Sequence, residues 1–151
     1  MLDDLTNLQA LLKDSTLLAT RGYIAGEWCD GENGQTFPVY NPARGDVITD
    51  VADISRTQAA EAISISEKAQ KLWAARPAKE RSNLLRKWYN LMMENQEDLA
   101  TILTAEQGKP IEEAKGEIAY GASFIEFFAE EAKRVYGETI PGHQSCLLYT
   151  S

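Results

Sequence analysis

Residues 106–142 read EQGKPIEEAKGEIAYGASFIEFFAEEAKRVYGETIPG, and this stretch decides how the chain is built. Gly108 suits the left-handed position that ends one helix, and Pro110 suits the first turn of the next. Glu112 and Glu113 favour the positive end of the new helix, Lys133 and Arg134 its negative end, with Gly137 and Pro141 closing it. Between these marks Ile111, Ala114, Ile118, Ala122, Ile125, Ala129 and Ala132 recur at steps of three or four, which is one helical face. The pattern predicts a rod of about 26 residues and roughly 40 Å. Tyr120, Phe124, Phe127 and Phe128 widen the apolar surface, so burial from more than one side is expected. Gly116 and Gly121 each cost up to about 1 kcal/mol inside a helix, which implies a close approach to the backbone there.

Working outward, 151 residues suit one domain with a real core, and 44% apolar with 25% charged content is a globular composition. The net charge of −8 argues against a nucleic-acid partner, which calls for a basic face. No run of 18 apolar residues occurs, so no membrane span is expected. Residues 1–20 carry Asp3 and Asp4 and lack a basic segment followed by an unbroken apolar core, unlike a secretory leader. Cys29 and Cys146 frame no disulfide scaffold. A reducing cytoplasm is the expected compartment.

Upstream, Leu5, Leu8, Leu11 and Leu12 predict an amphipathic helix within residues 1–20 that docks on its own domain. Residues 21–51 read as a small β-meander. Ala25-Gly26 is a tight hairpin turn between Tyr23-Ile24 and Glu27-Trp28, and Asp30-Gly31 and Asn33-Gly34 are further turns. Residues 36–40 and 47–51 are the next strands, and Pro38 marks an edge. A helical layer follows over 56–136. Ser55-x-x-Gln58 is a capping box, ahead of a face made by Ala62, Ile65, Ala69, Leu72 and Trp73. Pro77 starts another helix whose buried face is expected to be Leu84, Leu85, Trp88, Leu91 and Met92. Asn95 breaks the rhythm before Leu99, Ile102 and Leu103 carry a further helix to Gly108.

Few residues here promise chemistry by themselves. Gly108-Lys109 is not a phosphate loop, because Leu103 and Pro110 stand where that pattern needs Gly and Ser or Thr. No GxGxxG occurs. His143 has no partner at ligand or triad spacing, and Glu112, Glu113 and Glu117 read as a solvated helix face. Cys29 has Glu27 and Asp30 beside it, which disfavour a thiolate, so it reads as structural.

The order of several spaced motifs is informative. Gly26-Glu27-Trp28, Asn41-Pro42…Gly45, Glu106-Gln107-Gly108-Lys109-Pro110, Glu113-Ala114 with Glu117, and Tyr136-Gly137-Glu138-Thr139-Ile140-Pro141-Gly142 together resemble the aldehyde dehydrogenase superfamily. The string SFIEFFAEEAKRVYGETIPGHQ over residues 123–144 resembles its succinate-semialdehyde branch. The resemblance runs over residues 11–144 and implies an α/β family fold. This chain would carry a mostly α-helical part of it with the small N-terminal β-meander.

The resemblance also implies an activity. A cysteine thiolate attacks succinate or glutarate semialdehyde, hydride passes to NAD or NADP, and water activated by a glutamate releases the dicarboxylic acid, as in γ-aminobutyrate degradation. The family's catalytic cysteine, base glutamate, oxyanion asparagine and nucleotide-binding strands lie beyond the equivalent of Gln144. The chain is therefore expected to hold no catalytic and no cofactor-binding residue and to be inactive alone. What it would hold is one side of the aldehyde tunnel, at Gly116, Tyr120 and Phe124, and a monovalent-cation site at the Tyr40 carbonyl and Glu106. A homodimer or homotetramer is implied for the full-length enzyme.

Residues 145–151, SCLLYTS, depart from the family pattern of a β-strand leading to Pro-Trp-Asn-Phe and read as a non-native tail. The competing reading of the whole is a stand-alone helical interaction or dimerisation module without catalysis. Such a module would leave one apolar interface open, whereas a piece of an enzyme would leave a large apolar surface uncovered.

Overall fold

The computed structural model describes residues 8–137 and the short strands 139–141 and 148–150. Among the described residues the N-terminal helix α1 covers Leu8–Leu11, followed by a 3-10 turn at Ser15–Leu17. It ends at Leu11, and just beyond it the backbone N–H groups of Lys13 and Asp14 turn to the buried carboxylate of Asp98 at 3.1 and 2.8 Å. Leu8 and Leu12 are buried, as their spacing requires. Leu5 lies outside the described residues.

The expected meander resolves into two separate antiparallel hairpins. β1 (Gly22–Ile24) pairs with β2 (Glu27–Cys29), and β3 (Thr36–Tyr40) pairs with β4 (Val47–Ala52). Ala25 and Gly26 both have positive φ, 57° and 88°, the mirror-image turn that matches strand twist. Tyr23 faces Trp28 across the hairpin with ring centroids 5.0 Å apart. The two hairpins are linked through irregular backbone: Ala52 N–H donates to the Thr20 carbonyl and Asp53 N–H to that of Gln35, each at 2.8 Å. Gly31 sits in this crossing. A Cβ there would stand 2.3 Å from the Gln35 carbonyl oxygen, so no side chain fits. Pro38 lies in β3, whose one partner is β4, consistent with an edge.

Four helices follow: α2 (Arg56–Ala74), α3 (Ala78–Glu94), α4 (Gln96–Gln107) and α5 (Ile111–Glu131). The Ser55–Gln58 capping box forms as expected, and Gln58 also accepts Glu32 N–H at 3.1 Å and donates to the Asp30 carbonyl at 3.0 Å. This ties the start of α2 to the hairpins. The rest of α2 has no buried residue, and Leu72, expected on a packed face, is exposed.

The core centres on α5, which packs against α3 and α4, while α1 rests on α4. Ala114, Ala122 and Ala129 are at most 1% exposed and lie on the helical face the sequence marks out. Small side chains let the helices approach closely but bury little area each, at roughly 25 cal/mol per Å². On α3 the packed strip differs from the expected one. Ser82 is buried and Leu85, Tyr89 and Met92 are half-buried, whereas Leu84, Trp88 and Leu91 are exposed.

Three expectations for the long helix need correction. It ends at Glu131, because Lys133 and Arg134 N–H groups bond three residues back, to Glu130 and Glu131, in tightened turns. Lys133 and Arg134 therefore follow the helix, and Gly137 does not cap it. The aromatic side is open: Tyr120, Phe124, Phe127 and Phe128 are exposed, so the burial expected for them is not found among the described residues. A Cβ at Gly116 or Gly121 would meet nothing within 4 Å, so no element approaches the backbone at either.

Past α5, β5 (Thr139–Pro141) pairs antiparallel with β6 (Leu148–Thr150). Part of the tail anticipated as non-native thus forms a strand pair. His143 and Cys146 lie outside the described residues.

Candidate tunnel face and cation loop

The α4–α5 corner is built by Gly108, whose φ of 80° closes α4 with its N–H bonded to the Thr104 carbonyl. Pro110 then holds the cap position of α5. Three ion pairs, made by two lysines, fasten the corner. Lys109 pairs with Glu117, and Lys115 pairs with Glu97 at 2.8 Å and Glu112 at 3.1 Å. The Glu97 hydrogen bond, then that of Glu112, raises the Lys115 pKa, so its ammonium stays charged. Gln96 adds a hydrogen bond to the Lys115 carbonyl at 3.0 Å.

Gly116, Tyr120 and Phe124 follow at one-turn intervals along the outer side of α5. Tyr120 is 67% and Phe124 48% exposed, and their rings meet edge to face at 4.9 Å. Phe127 and Phe128 form a second such pair at 5.3 Å. With Ser123 the four aromatics line an open hollow of about 560 Å³. Among the described residues that line it, none is charged. Gly116 continues this side of the helix without a side chain, but does not line the hollow. Phe127, Phe128 and Ser123, which also line the hollow, were not singled out from the sequence. Their spacing relative to Tyr120 was the signal that could have found them.

Tyr40 ends β3, and its side chain is exposed. The turn after it is closed by hydrogen bonds to Asn41. Buried Asn41 accepts Ala43 N–H at 2.9 Å and Arg44 N–H at 3.3 Å on its side-chain oxygen, and Gly45 N–H on its carbonyl at 2.7 Å. Arg44 forks onto Asp46 with two bonds of 2.8 Å. Pro42 leans on the α4–α5 corner, close enough that a Cβ at Gly108 would stand 3.0 Å from its Cγ. The loop after Tyr40 thus lies against the turn at Gly108, while Glu106 is exposed within the last turn of α4. A carbonyl and a carboxylate are the oxygen donors that suit a hard cation. Among the described residues no group of three His, Cys, Asp or Glu side chains gathers as a metal cluster.

Cys29 lies in β2, half-buried, with its thiol donating to the Gly22 carbonyl at 3.4 Å. That is a structural placement. Among the described residues every strand pair is antiparallel, the passage from β4 into α2, Asp53-Ile54-Ser55, has no glycine, and no helix is long and apolar enough to cross a membrane.

Comparison with known proteins gives this geometry a context. The family model described as "Aldehyde dehydrogenase family" matches residues 28–151. Glutarate-semialdehyde dehydrogenase of Pseudomonas putida KT2440 is 59% identical over 133 residues, covering 88% of this chain and 28% of that protein. Succinate-semialdehyde dehydrogenase [NADP(+)] of Escherichia coli K12 is 53% identical, covering 89% of this chain and 28% of its own length. A crystal structure of aldehyde dehydrogenase from Brucella melitensis biovar abortus 2308 superposes with a TM-score of 0.84 at 53% identity, over 89% of this chain and 28% of that one. This chain thus spans little more than a quarter of such relatives, and its helices and hairpins are a part of their α/β fold. The chain belongs to the aldehyde dehydrogenase family.

Proposed function

We propose that residues 21–144 form the amino-terminal part of an NAD(P)-dependent aldehyde dehydrogenase that oxidises a short aldehyde with an anionic far end. Succinate or glutarate semialdehyde is the substrate, the setting is cytoplasmic, as in γ-aminobutyrate breakdown, and the working enzyme is a homodimer or homotetramer. Names among the relatives support the substrate class: glutarate semialdehyde, succinate semialdehyde and 3-sulfolactaldehyde all join an aldehyde to an acidic group.

The observation that carries the reading is the uncovered apolar surface. Leu72 on α2, Trp88 on α3 and Phe124, Phe127 and Phe128 on α5 are all exposed, so three helices present apolar side chains to whatever completes the fold. A stand-alone interaction module would present one such surface.

Tyr120 and Phe124 form one wall of the aldehyde path and exclude water from it, with Phe127 and Phe128 extending that wall. With no charge in its lining, the hollow guides the methylene chain of the substrate, and the far carboxylate is recognised by groups outside it. The Tyr40 carbonyl and the Glu106 carboxylate contribute to a structural monovalent-cation site. NAD or NADP, held by other parts of the enzyme, supplies the hydride acceptor.

A hybrid tests this. Residues 11–144 replace the matching segment of the Pseudomonas putida dehydrogenase, and NAD(P)H formation is followed with succinate and glutarate semialdehyde. The hybrid is expected to keep activity within about tenfold. In it, Tyr120→Ala and Phe124→Ala are expected to raise KM for aldehyde more than they lower kcat, as lost binding common to ground and transition state does. The 151-residue chain alone is expected to show no turnover. A dead but folded hybrid, or aldehyde-dependent NAD(P)H from the chain alone, overturns the reading.

A further inference from the structure

The two halves of α5 are held differently. Its N-terminal half is fixed to α4 by Lys115–Glu97 and by Gln96 on the Lys115 carbonyl. Its C-terminal half buries Ala122 and Ala129, and α5 packs on α3; side chains this small permit close approach but offer little to resist rotation. Among the described residues, the polar side-chain links from that half to α3 are those of Arg86. Its Nη1 donates to Glu126 at 2.5 Å and its Nη2 to Glu130 at 3.0 Å, so one planar guanidinium bridges successive turns of α5. The same group lies 5.4 Å from the ring centre of Tyr89, one turn along α3.

We propose that Arg86 is a positioning residue that sets the roll of α5, and through it the direction in which Tyr120, Phe124 and Phe127 face. Glu126 and Glu130 sit beside Phe127 and Phe128 in sequence, so anchoring the carboxylates fixes where the rings point. A rigid fork with two donor arms suits this, and a lysine, as a point charge, does not. Side-chain tips lie about 5–6 Å from a helix axis, so a roll of about 30° moves them by about 3 Å. That is a large fraction of the width of an aldehyde path. The inference rests on the reading of this face as that path, but the roll itself is measurable without catalysis.

The experiment uses the 151-residue chain with both cysteines replaced by serine and spin labels at Asn83→Cys on α3 and Ser123→Cys on α5. Both positions are exposed. Electron-electron distance distributions are recorded for Arg86, Arg86→Met, Arg86→Lys and the pair Glu126→Gln with Glu130→Gln. Arg86→Met is expected to broaden the distribution and shift its mean by about 3 Å well below the melting temperature, with Arg86→Lys restoring it only in part. The double glutamine variant is expected to match Arg86→Met, and adding Arg86→Met to it should change nothing further. An unchanged distribution in folded Arg86→Met and in the double variant overturns the proposal. The aldehyde KM of the Tyr120 and Phe124 hybrids is an independent readout, so failure of the tunnel reading is distinguishable from failure of the roll.

Discussion

Asp98, buried in α4, accepts the backbone N–H of Asp14 at 2.8 Å across 84 residues of chain. With the neighbouring bond to Lys13 N–H, one carboxylate ends α1 and fastens the N-terminal segment to the helical core. Hydrogen bonds to a charged, desolvated acceptor contribute about 1.5–3 kcal/mol each in mutational series. Asp98→Ala is therefore expected to cost about 2–3 kcal/mol in chemical denaturation. Asp98→Asn, which keeps one acceptor, should recover part of that. Hydrogen exchange at the amides of Lys13 and Asp14 is the direct check, and protection unchanged in Asp98→Ala would contradict the role.

Gly108 and Pro42 define a second test. A side chain at 108 meets two penalties, the left-handed backbone at φ 80° and a Cβ 3.0 Å from Pro42 Cγ. Gly108→Ala is expected to destabilise by about 1–2 kcal/mol, the left-handed cost, with the contact adding to it. The shift in denaturant midpoint measures it. A change under about 0.5 kcal/mol, the level of ordinary surface substitutions, would show that the corner yields.

These two positions also show what could be read from the chain alone. Gly108 and Pro110 announced the corner because only certain residues tolerate its backbone. The Ser55–Gln58 box and the alanine face of α5 were legible for the same reason, as local chemistry with a fixed spacing. Asp98 was not legible, since nothing near it in sequence indicates that its partners are Lys13 and Asp14. Nor was the rotated packed strip of α3, where Ser82 is buried while Trp88 and Leu91 are exposed. Periodicity identifies apolar positions but not which of them this chain itself covers. The candidate tunnel residues Gly116, Tyr120 and Phe124 and candidate cation residues Tyr40 and Glu106 came from family resemblance, and what the structure adds is that Tyr120 and Phe124 share one open side of α5.

Ala25 is the non-glycine residue at the first place of the β1–β2 turn, with φ 57°. The left-handed backbone costs an L-residue roughly 1 kcal/mol relative to glycine, partly offset by the added freedom of glycine in the unfolded chain. Ala25→Gly, or Ala25→Asn with the residue this turn favours, is expected to stabilise by about 0.5 kcal/mol. Thermal melts of both variants test this, and destabilisation by both would mean the turn has another geometry.

Acid should loosen two exposed turns. The side-chain hydrogen bond from Thr16, then its backbone N–H, lowers the Asp14 pKa, and the Arg44 fork lowers that of Asp46. Because the folded values lie below the unfolded ones, both groups stabilise the fold fully above the ordinary carboxylate value. That contribution is lost as pH falls through the lowered folded values, below about pH 4. In wild type, chemical-shift titration of the two carboxylates should give midpoints below the ordinary aspartate value of 3.8. Thr16→Val should return Asp14 toward it while leaving Asp46 in place, and movement of both would argue against local causes.

The open aromatic side of α5 gives the sharpest contrast within one helix. Phe124 and Phe127 are about half exposed and each has one edge-to-face ring partner, so replacing both with serine should cost about 0.5–1.5 kcal/mol each. Ala122 is 0% exposed against the neighbouring helices, and Ala122→Leu should cost about 1–3 kcal/mol by overpacking. Hydrophobic-dye fluorescence should move the other way. The 151-residue chain is expected to bind the dye, the double serine variant roughly half as much, and folded Ala122→Leu no less than wild type, in keeping with apolar patches as binding surfaces. Dye binding that ignores Phe124 and Phe127 would place the uncovered surface on α2 or α3, and the aldehyde path would have to be sought away from α5.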